Sequence, residues 1–208
     1  MNYEFDFYGD RRDPQLILCK PNRSKIAVLS RALDRRLNLN FNSVSELQFT
    51  VPYMVNGVET DNYDNINYLK KIYIDTLQMY FNIGSVDITG DGIYEKKNIT
   101  CYSLESSFVY RGFFLPKGVY QLYNPVTPQT TILGMVLKTL PNWQMGYIDA
   151  ELFNVWRSFE DTEEDLYSFL NSTLSETFGC VFSFSSVKKE INSIWFYSRE
   201  EFLKTIDV

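Results

Sequence analysis

Asp87-Ile-Thr-Gly-Asp91-Gly92-Ile-Tyr-Glu95-Lys-Lys-Asn98 is the segment whose residue types and spacing come nearest to chemistry. Asp87, Asp91, Gly92 and Glu95 follow the order of a calcium loop, in which oxygen ligands recur along the chain and a glycine supplies the sharp turn. Two ligand positions depart from that pattern. Thr89 stands where an acid or amide belongs, and Asn98 where a bidentate carboxylate closes the coordination sphere. The flanking residues read as strands, whereas a calcium loop of this kind is flanked by helices. A Gly-Asp-Gly hairpin turn explains the same residues without a metal and is the preferred reading.

The remaining reactive groups are sparse. The chain has no histidine, so a Ser-His-Asp or Cys-His nucleophile is excluded and zinc loses its usual ligand. Paired carboxylates could still hydrolyse a glycoside. The acids from Glu160 to Asp165, however, precede an apolar helical stripe, where the helix dipole accounts for them. Asp6, Asp10 and Asp13 share no helical or strand face. Gly112, Gly118 and Gly134 are isolated, and no glycine-rich phosphate loop is present. Trp143, Trp156 and Trp195 could stack sugars, but each lies on or beside an apolar segment, which favours core packing. No catalytic, cofactor-binding or metal-ligating residue is therefore assigned.

Composition narrows the function classes further. The 208 residues suffice for one large or two small cores, and 45% hydrophobic with 22% charged residues is ordinary for a globular chain. Aromatics reach 16%, with 15 Tyr and 16 Phe, which favours β structure and permits interaction surfaces. A net charge of −6 gives no electrostatic drive toward phosphates. The doublets Arg11-Arg12, Arg35-Arg36 and Lys188-Lys189 are too short to form a basic stripe. Cys19, Cys101 and Cys180 are odd in number and far apart, as expected for folding in a reducing compartment. Acidic residues near Met1 argue against a signal peptide, and no apolar run reaches the length of a membrane span.

These side chains must be positioned by elements of two kinds. Up to about residue 125 the chain reads as short strands. Leu16–Cys19 and Ile26–Leu29 come first, followed by the alternation of Leu37, Leu39 and Phe41 and that of Leu47, Phe49 and Val51, which stops at Pro52. Segments 72–74, 79–83, 99–102 and 119–123 follow. Many short strands separated by turns suggest a barrel or sandwich. Residues 62–71 read as a helical turn or a loop, and Ser103–Val109 as a short helical bridge.

After Pro125 the period changes. Thr127 is the expected N-cap and Pro128 the first position of a helix that buries Ile132, Leu133, Val136, Leu137 and Leu140 and ends at Pro141. A strand is expected over Trp143–Ala150. Asp161 or Thr162 then caps a second helix that buries Leu166, Phe169, Leu170, Leu174 and Phe178 and stops at Gly179. Cys180, Phe182 and Phe184 alternate, 187–190 turns, and Ile191–Tyr197 returns as the hairpin partner. Ser198-Arg-Glu-Glu201 opens a last helix that reaches Val208 after about two to three turns, so the chain is expected to continue in the intact protein.

Leu16-Ile-Leu-Cys-Lys-Pro-Asn22, Ser45-Glu-Leu-Gln-Phe-Thr-Val-Pro52, Lys97-Asn-Ile-Thr-Cys-Tyr-Ser-Leu-Glu105 and Pro141-Asn-Trp-Gln-Met-Gly-Tyr-Ile-Asp149 occur in that order, followed by Arg157-Ser-Phe159, Asp165–Leu170 and Phe178–Phe184. In this order and spacing the chain resembles the N-terminal half of siphophage tail-tip hub proteins, the tail-associated or minor structural proteins, which are similar to contractile-phage baseplate hubs. The resemblance implies an α+β fold: a β-barrel-like domain over 1–125, then a smaller α/β domain over 126–208 with two amphipathic helices and a hairpin. It also implies a homotrimeric ring closing the tail tube in the virion tail tip, assembled in the host cytoplasm. The implied partners are the distal tail protein and the tape-measure protein, with no cofactor, no membrane and no specific nucleic acid. Any peptidoglycan hydrolase activity of the family would lie beyond Val208, so this part is expected to catalyse nothing. The alternatives are a carbohydrate-binding module of an adhesion protein, which predicts an exposed aromatic row, and a hydrolase domain, which needs facing carboxylates or a metal site.

Overall fold

A computed structural model of the chain describes residues 14–40, 43–185 and 192–199. The expected features at Asp6, Asp10, Asp13, Arg11-Arg12, Phe41, the 187–190 turn and the helix past Arg199 lie outside the described residues. The described residues form two compact units, one over 14–40 and 44–104, the other over 105–185 and 192–199 together with Ser43. The boundary thus falls at Leu104/Glu105 rather than at residue 125, because segment 112–121 pairs with strands of the second unit.

The first unit contains β1 (Leu16–Cys19), β2 (Lys25–Val28), β3 (Leu33–Asn38), β4 (Glu46–Pro52), the two-residue strands β5 (Met54–Val55) and β6 (Val58–Glu59), β7 (Lys71–Ile74), β8 (Met79–Thr89) and β9 (Lys96–Ser103). Seven of these form one sheet in the order β2-β1-β7-β8-β9-β4-β3, with every neighbouring pair antiparallel. The alternation read from the sequence is realised on β4, where Leu47, Phe49 and Val51 are buried. On β1 all four residues are buried, as an unbroken apolar run requires. Residues 62–71 hold turns and no regular helix. On β3 only Leu37 is half-buried, and Leu39 beyond it is exposed rather than inward-facing.

The ladder is open: β2 and β3, its end strands, are not hydrogen-bonded to each other. A closed barrel is therefore not what the hydrogen bonds describe. Yet the sheet cannot be flat. Six strand spacings would separate its ends by roughly 29 Å. The link from Val28 to Leu33, drawn tighter by the Ala32 N–H donating to the Leu29 carbonyl, reaches at most about 18 Å. The sheet is curled, with Leu16, Leu18, Leu47, Phe49, Ile72, Ile74 and Phe81 buried in its core.

The second unit contains β10 (Gly112–Leu115), β11 (Gly118–Gln121), β12 (Trp143–Ile148), β13 (Trp156–Phe159), β14 (Thr162–Asp165), β15 (Cys180–Ser185) and β16 (Asn192–Ser198). β10 pairs with β14 and β11 with β13, both antiparallel, so 112–121 and 156–165 form one two-stranded ribbon. The ribbon breaks where residues 116–117 face 160–161. Pro116 has no N–H for the ladder, and the bend is held by the Asp161 carboxylate accepting from the Lys117 N–H at 2.7 Å. A second sheet runs β12-β16-β15, parallel in its first pair and antiparallel in its second.

Both expected helices are present with corrected starts. Thr127 makes no side-chain cap. Pro128–Thr130 is a 3-10 turn, and Thr131 caps the helix Ile132–Lys138 by accepting from the Gly134 N–H at 3.2 Å. Gly134 is required there, since a Cβ would lie 1.9 Å from the Pro128 carbonyl oxygen. The second helix opens at Leu166, not after Asp161 or Thr162, because Thr162–Asp165 is committed to the ribbon. It runs through a π-helical stretch, Phe169–Leu174, to Phe178, and Gly179 ends it at φ 63°. Leu166, Phe169, Leu170, Leu174 and Phe178 are all buried, as their spacing predicts. Fully burying each such side chain contributes about 1.5–3 kcal/mol. The bridge expected over Ser103–Val109 is the 3-10 helix Leu104–Tyr110.

Candidate interaction surfaces

The calcium-like segment is the connection of a β-hairpin. Asp87 lies opposite Asn98 and Thr89 opposite Lys96 in the β8–β9 register. Gly90, at φ 83°, would place a Cβ 2.5 Å from the Tyr94 carbonyl oxygen, so the turn itself demands glycine. Asn98 accepts from the Thr50 hydroxyl at 3.1 Å and donates to Thr89 at 3.2 Å. Glu95 accepts from the Tyr63 hydroxyl at 2.9 Å. Each of these side chains has a neighbour other than an ion, and among the described residues no three acidic or thiol side chains come together.

The second acidic run is also dispersed. Glu160 pairs with Lys117 at 2.7 Å on the surface. Glu164 accepts from the Thr173 hydroxyl at 2.6 Å. Asp165 caps the helix, accepting from the Ser168 N–H at 2.9 Å and its hydroxyl at 2.6 Å. Desolvation works against ionisation of Asp165, but these bonds outweigh it and hold the carboxyl below its ordinary value. The three thiols are buried. Burial raises all of them, that of Cys180 to about 12, which leaves no thiolate for nucleophilic work.

One buried cation organises the first unit. The Lys97 ammonium donates to the carbonyls of Tyr63 at 2.8 Å and Ile66 at 3.2 Å, and lies 4.3 Å from the centroid of the Tyr63 ring. Burial lowers its pKa, while Asp64 and Glu95 oppose that shift. Through these contacts β9 holds the segment between β6 and β7 in place. A cavity of about 480 Å³ in the same unit has an apolar floor that includes Leu16, Leu47 and Ile74. Arg35 and Arg36 lie at it, and Arg35 is already bonded to the carbonyls of Ala32 and Pro14.

The tryptophans do not form a common platform. Trp143 packs with Phe108 and Phe184, at 4.8 and 5.6 Å between ring centroids. Trp156 on β13 is 54% exposed and Trp195 on β16 is 37% exposed. Two strand pairs also expose apolar side chains, as do Tyr68, Leu69, Tyr110 and Val126 elsewhere. The β8–β9 hairpin presents Ile88, Ile93 and Tyr94, and the outer face of the ribbon presents Phe114 and Val119, with Trp156 at its end. Tyr147, Trp195 and Tyr197 also neighbour one another on the sheet β12-β16-β15, a grouping that the three-Trp reading missed. The alternation Ile194, Trp195, Phe196, Tyr197 was the available signal. No helix among the described residues is long and apolar enough to cross a membrane.

Comparison with known proteins agrees with this architecture. The model of the family described as YOMG N-terminal domain matches residues 18–101, within the first unit. No curated protein sequence matches the chain. Among solved structures, the prophage tail protein gp18 from Listeria monocytogenes is 11% identical with a TM-score of 0.59, over 89% of this chain and 51% of its own. The tail protein from Neisseria meningitidis MC58 is 7% identical with a TM-score of 0.56, over 88% of this chain and 50% of its own. The chain spans about half the length of the solved structures it matches. The resemblance to tail proteins seen in the order of its segments is thus a shared fold, mostly β with several sheets, that extends across both units.

Proposed function

We propose that the chain is a structural component of a phage or prophage tail, and within it the N-terminal part of the tail-tip hub that closes the tail tube. The observation that carries this reading is the fold shared with two tail proteins over almost all of the chain. A curled sheet whose end strands are tied by a short link suits a barrel-like hub domain. The outer edges of β2 and β3, which pair with no further strand among the described residues, and the exposed apolar residues of the hairpin and the ribbon suit contacts between neighbouring subunits. In this role the chain catalyses nothing. It works as a homotrimeric ring that meets the distal tail protein and the tape-measure protein.

Light scattering behind size exclusion tests ring formation. Three copies of the 24.4 kDa chain give a species of about 73 kDa. A monomer at all accessible concentrations would contradict ring closure by these residues.

A further inference from the structure

The outer face of the sheet β12-β16-β15 carries three neighbouring aromatic rings. Ile194 and Phe196 are fully buried in the core, so the alternate residues Trp195 and Tyr197 point outward. Tyr197 has Tyr147 beside it at 5.5 Å between centroids, with planes 37° apart, and Trp195 at 6.5 Å, with planes 34° apart. Tyr147 is 46% exposed. The Trp195 indole lies against the backbone of β12 because residue 146 is glycine; a Cβ there would meet its Cδ1 and Nε1 at 2.4 Å.

Around the rings lie Val181, opposite Tyr197 in the ladder, and uncharged polar side chains. Gln144 donates to the Ser193 hydroxyl at 3.3 Å, and Ser183 sits opposite Trp195 in the ladder. None of the three strands contains a charged residue, in a chain that is 22% charged.

We propose that this face is a binding platform for a neutral, extended polysaccharide of β-1,4-linked pyranoses. The chemistry follows from the rings and from what surrounds them. A pyranose with equatorial substituents presents axial C–H bonds on the face of its ring. That face is weakly positive and settles on the negative face of an aromatic ring. Serine hydroxyls and a glutamine amide beside the rings can give and accept hydrogen bonds from sugar hydroxyls. The three strands contribute no lysine or arginine to neutralise a phosphate, the term that draws nucleic acid. An open strip of successive rings, rather than an enclosed pocket, suits a chain whose sugars repeat along its axis. The platform is independent of the tail reading.

The test uses the full chain, titrated by calorimetry and intrinsic tryptophan fluorescence with cellohexaose and with the β-1,4-linked hexamer of N-acetylglucosamine. Maltohexaose, α-linked and coiled, is the geometric control. The expected result is saturable binding of the β-1,4 hexamers, weakened about tenfold in Trp195→Ala and in Tyr147→Ala. Trp156→Ala should bind like the unsubstituted chain, and Trp195→Phe, which keeps a ring on Gly146, should retain binding. Circular dichroism confirms that each variant is folded. No saturable binding of either β-1,4 hexamer by the folded unsubstituted chain would overturn the proposal, as would unchanged affinity in a folded Trp195→Ala. Maltohexaose binding as tightly as the β-1,4 hexamers would overturn the assignment to an extended chain.

Discussion

Asp165 ends one element and begins the next. It is the last residue of β14, and its carboxylate accepts from Ser168 to cap the helix that follows. Its pKa is held below the ordinary value, so it contributes stability that is present above its unfolded pKa of about 4 and lost as pH falls through the folded value. Asp165→Ala is expected to cost about 1 kcal/mol near neutrality, with the deficit closing in urea melts at pH values below about 4. Lys97 has a different role. Replacing it with Met keeps much of the stem but strips the carbonyls of Tyr63 and Ile66 of a buried donor, and the expected loss is about 1–3 kcal/mol. An unchanged urea midpoint for Lys97→Met would show that these bonds add nothing net. Neither role could be seen in the sequence. Asp165 looked like one acid among several at a helix start; strand parity with Ile99 and Cys101 does put Lys97 on the inward face, but it does not show what the ammonium meets there. The carbonyls it meets belong to the loop after Tyr63, about thirty positions earlier, which no local pattern ties to β9.

At the scale of elements, amphipathic period and stop signals located the apolar stripes, and the packing follows them. The starts were misplaced for a physical reason. Thr162-Glu-Glu-Asp165 has the composition of a helix N-terminus and little strand propensity, yet its backbone is claimed by a partner about fifty positions earlier. Non-local pairing of that kind leaves no local trace. The ribbon strands Gly112–Leu115 and Trp156–Phe159 escaped for the same reason, being four residues each with weak alternation. Gly134 shows the reverse case, a glycine that looks out of place in a helix until the 3-10 turn beneath it is seen. Gly134→Ala should destabilise the chain by more than about 1 kcal/mol, because a methyl group meets backbone rather than a yielding side chain. If helix propensity governed that site, the substitution would raise the melting temperature instead.

For the whole molecule, the order of segments pointed to the tail-protein fold, while the curl of the open sheet and the division into units depended on pairings that the order alone does not contain. The curl of the seven-stranded sheet follows from strand order together with the length of one link, and the strand order emerges only once β1, β7 and β9 are paired. The exposed residues of the β8–β9 hairpin and the ribbon become meaningful at this scale, as the surfaces by which copies would meet. Phe114→Asp, on the outer face of the ribbon, should leave folding intact and lower the proportion of trimer in solution. A trimer as abundant as that of the unsubstituted chain would remove the ribbon from the interface. The most direct measurement of the central claim is immunogold electron microscopy of tailed particles released by the strain that encodes the chain, with an antibody raised against it. Gold at the end of the tail farthest from the head is the predicted result; intact particles labelled only on the head or along the tube, or not labelled at all, would contradict it.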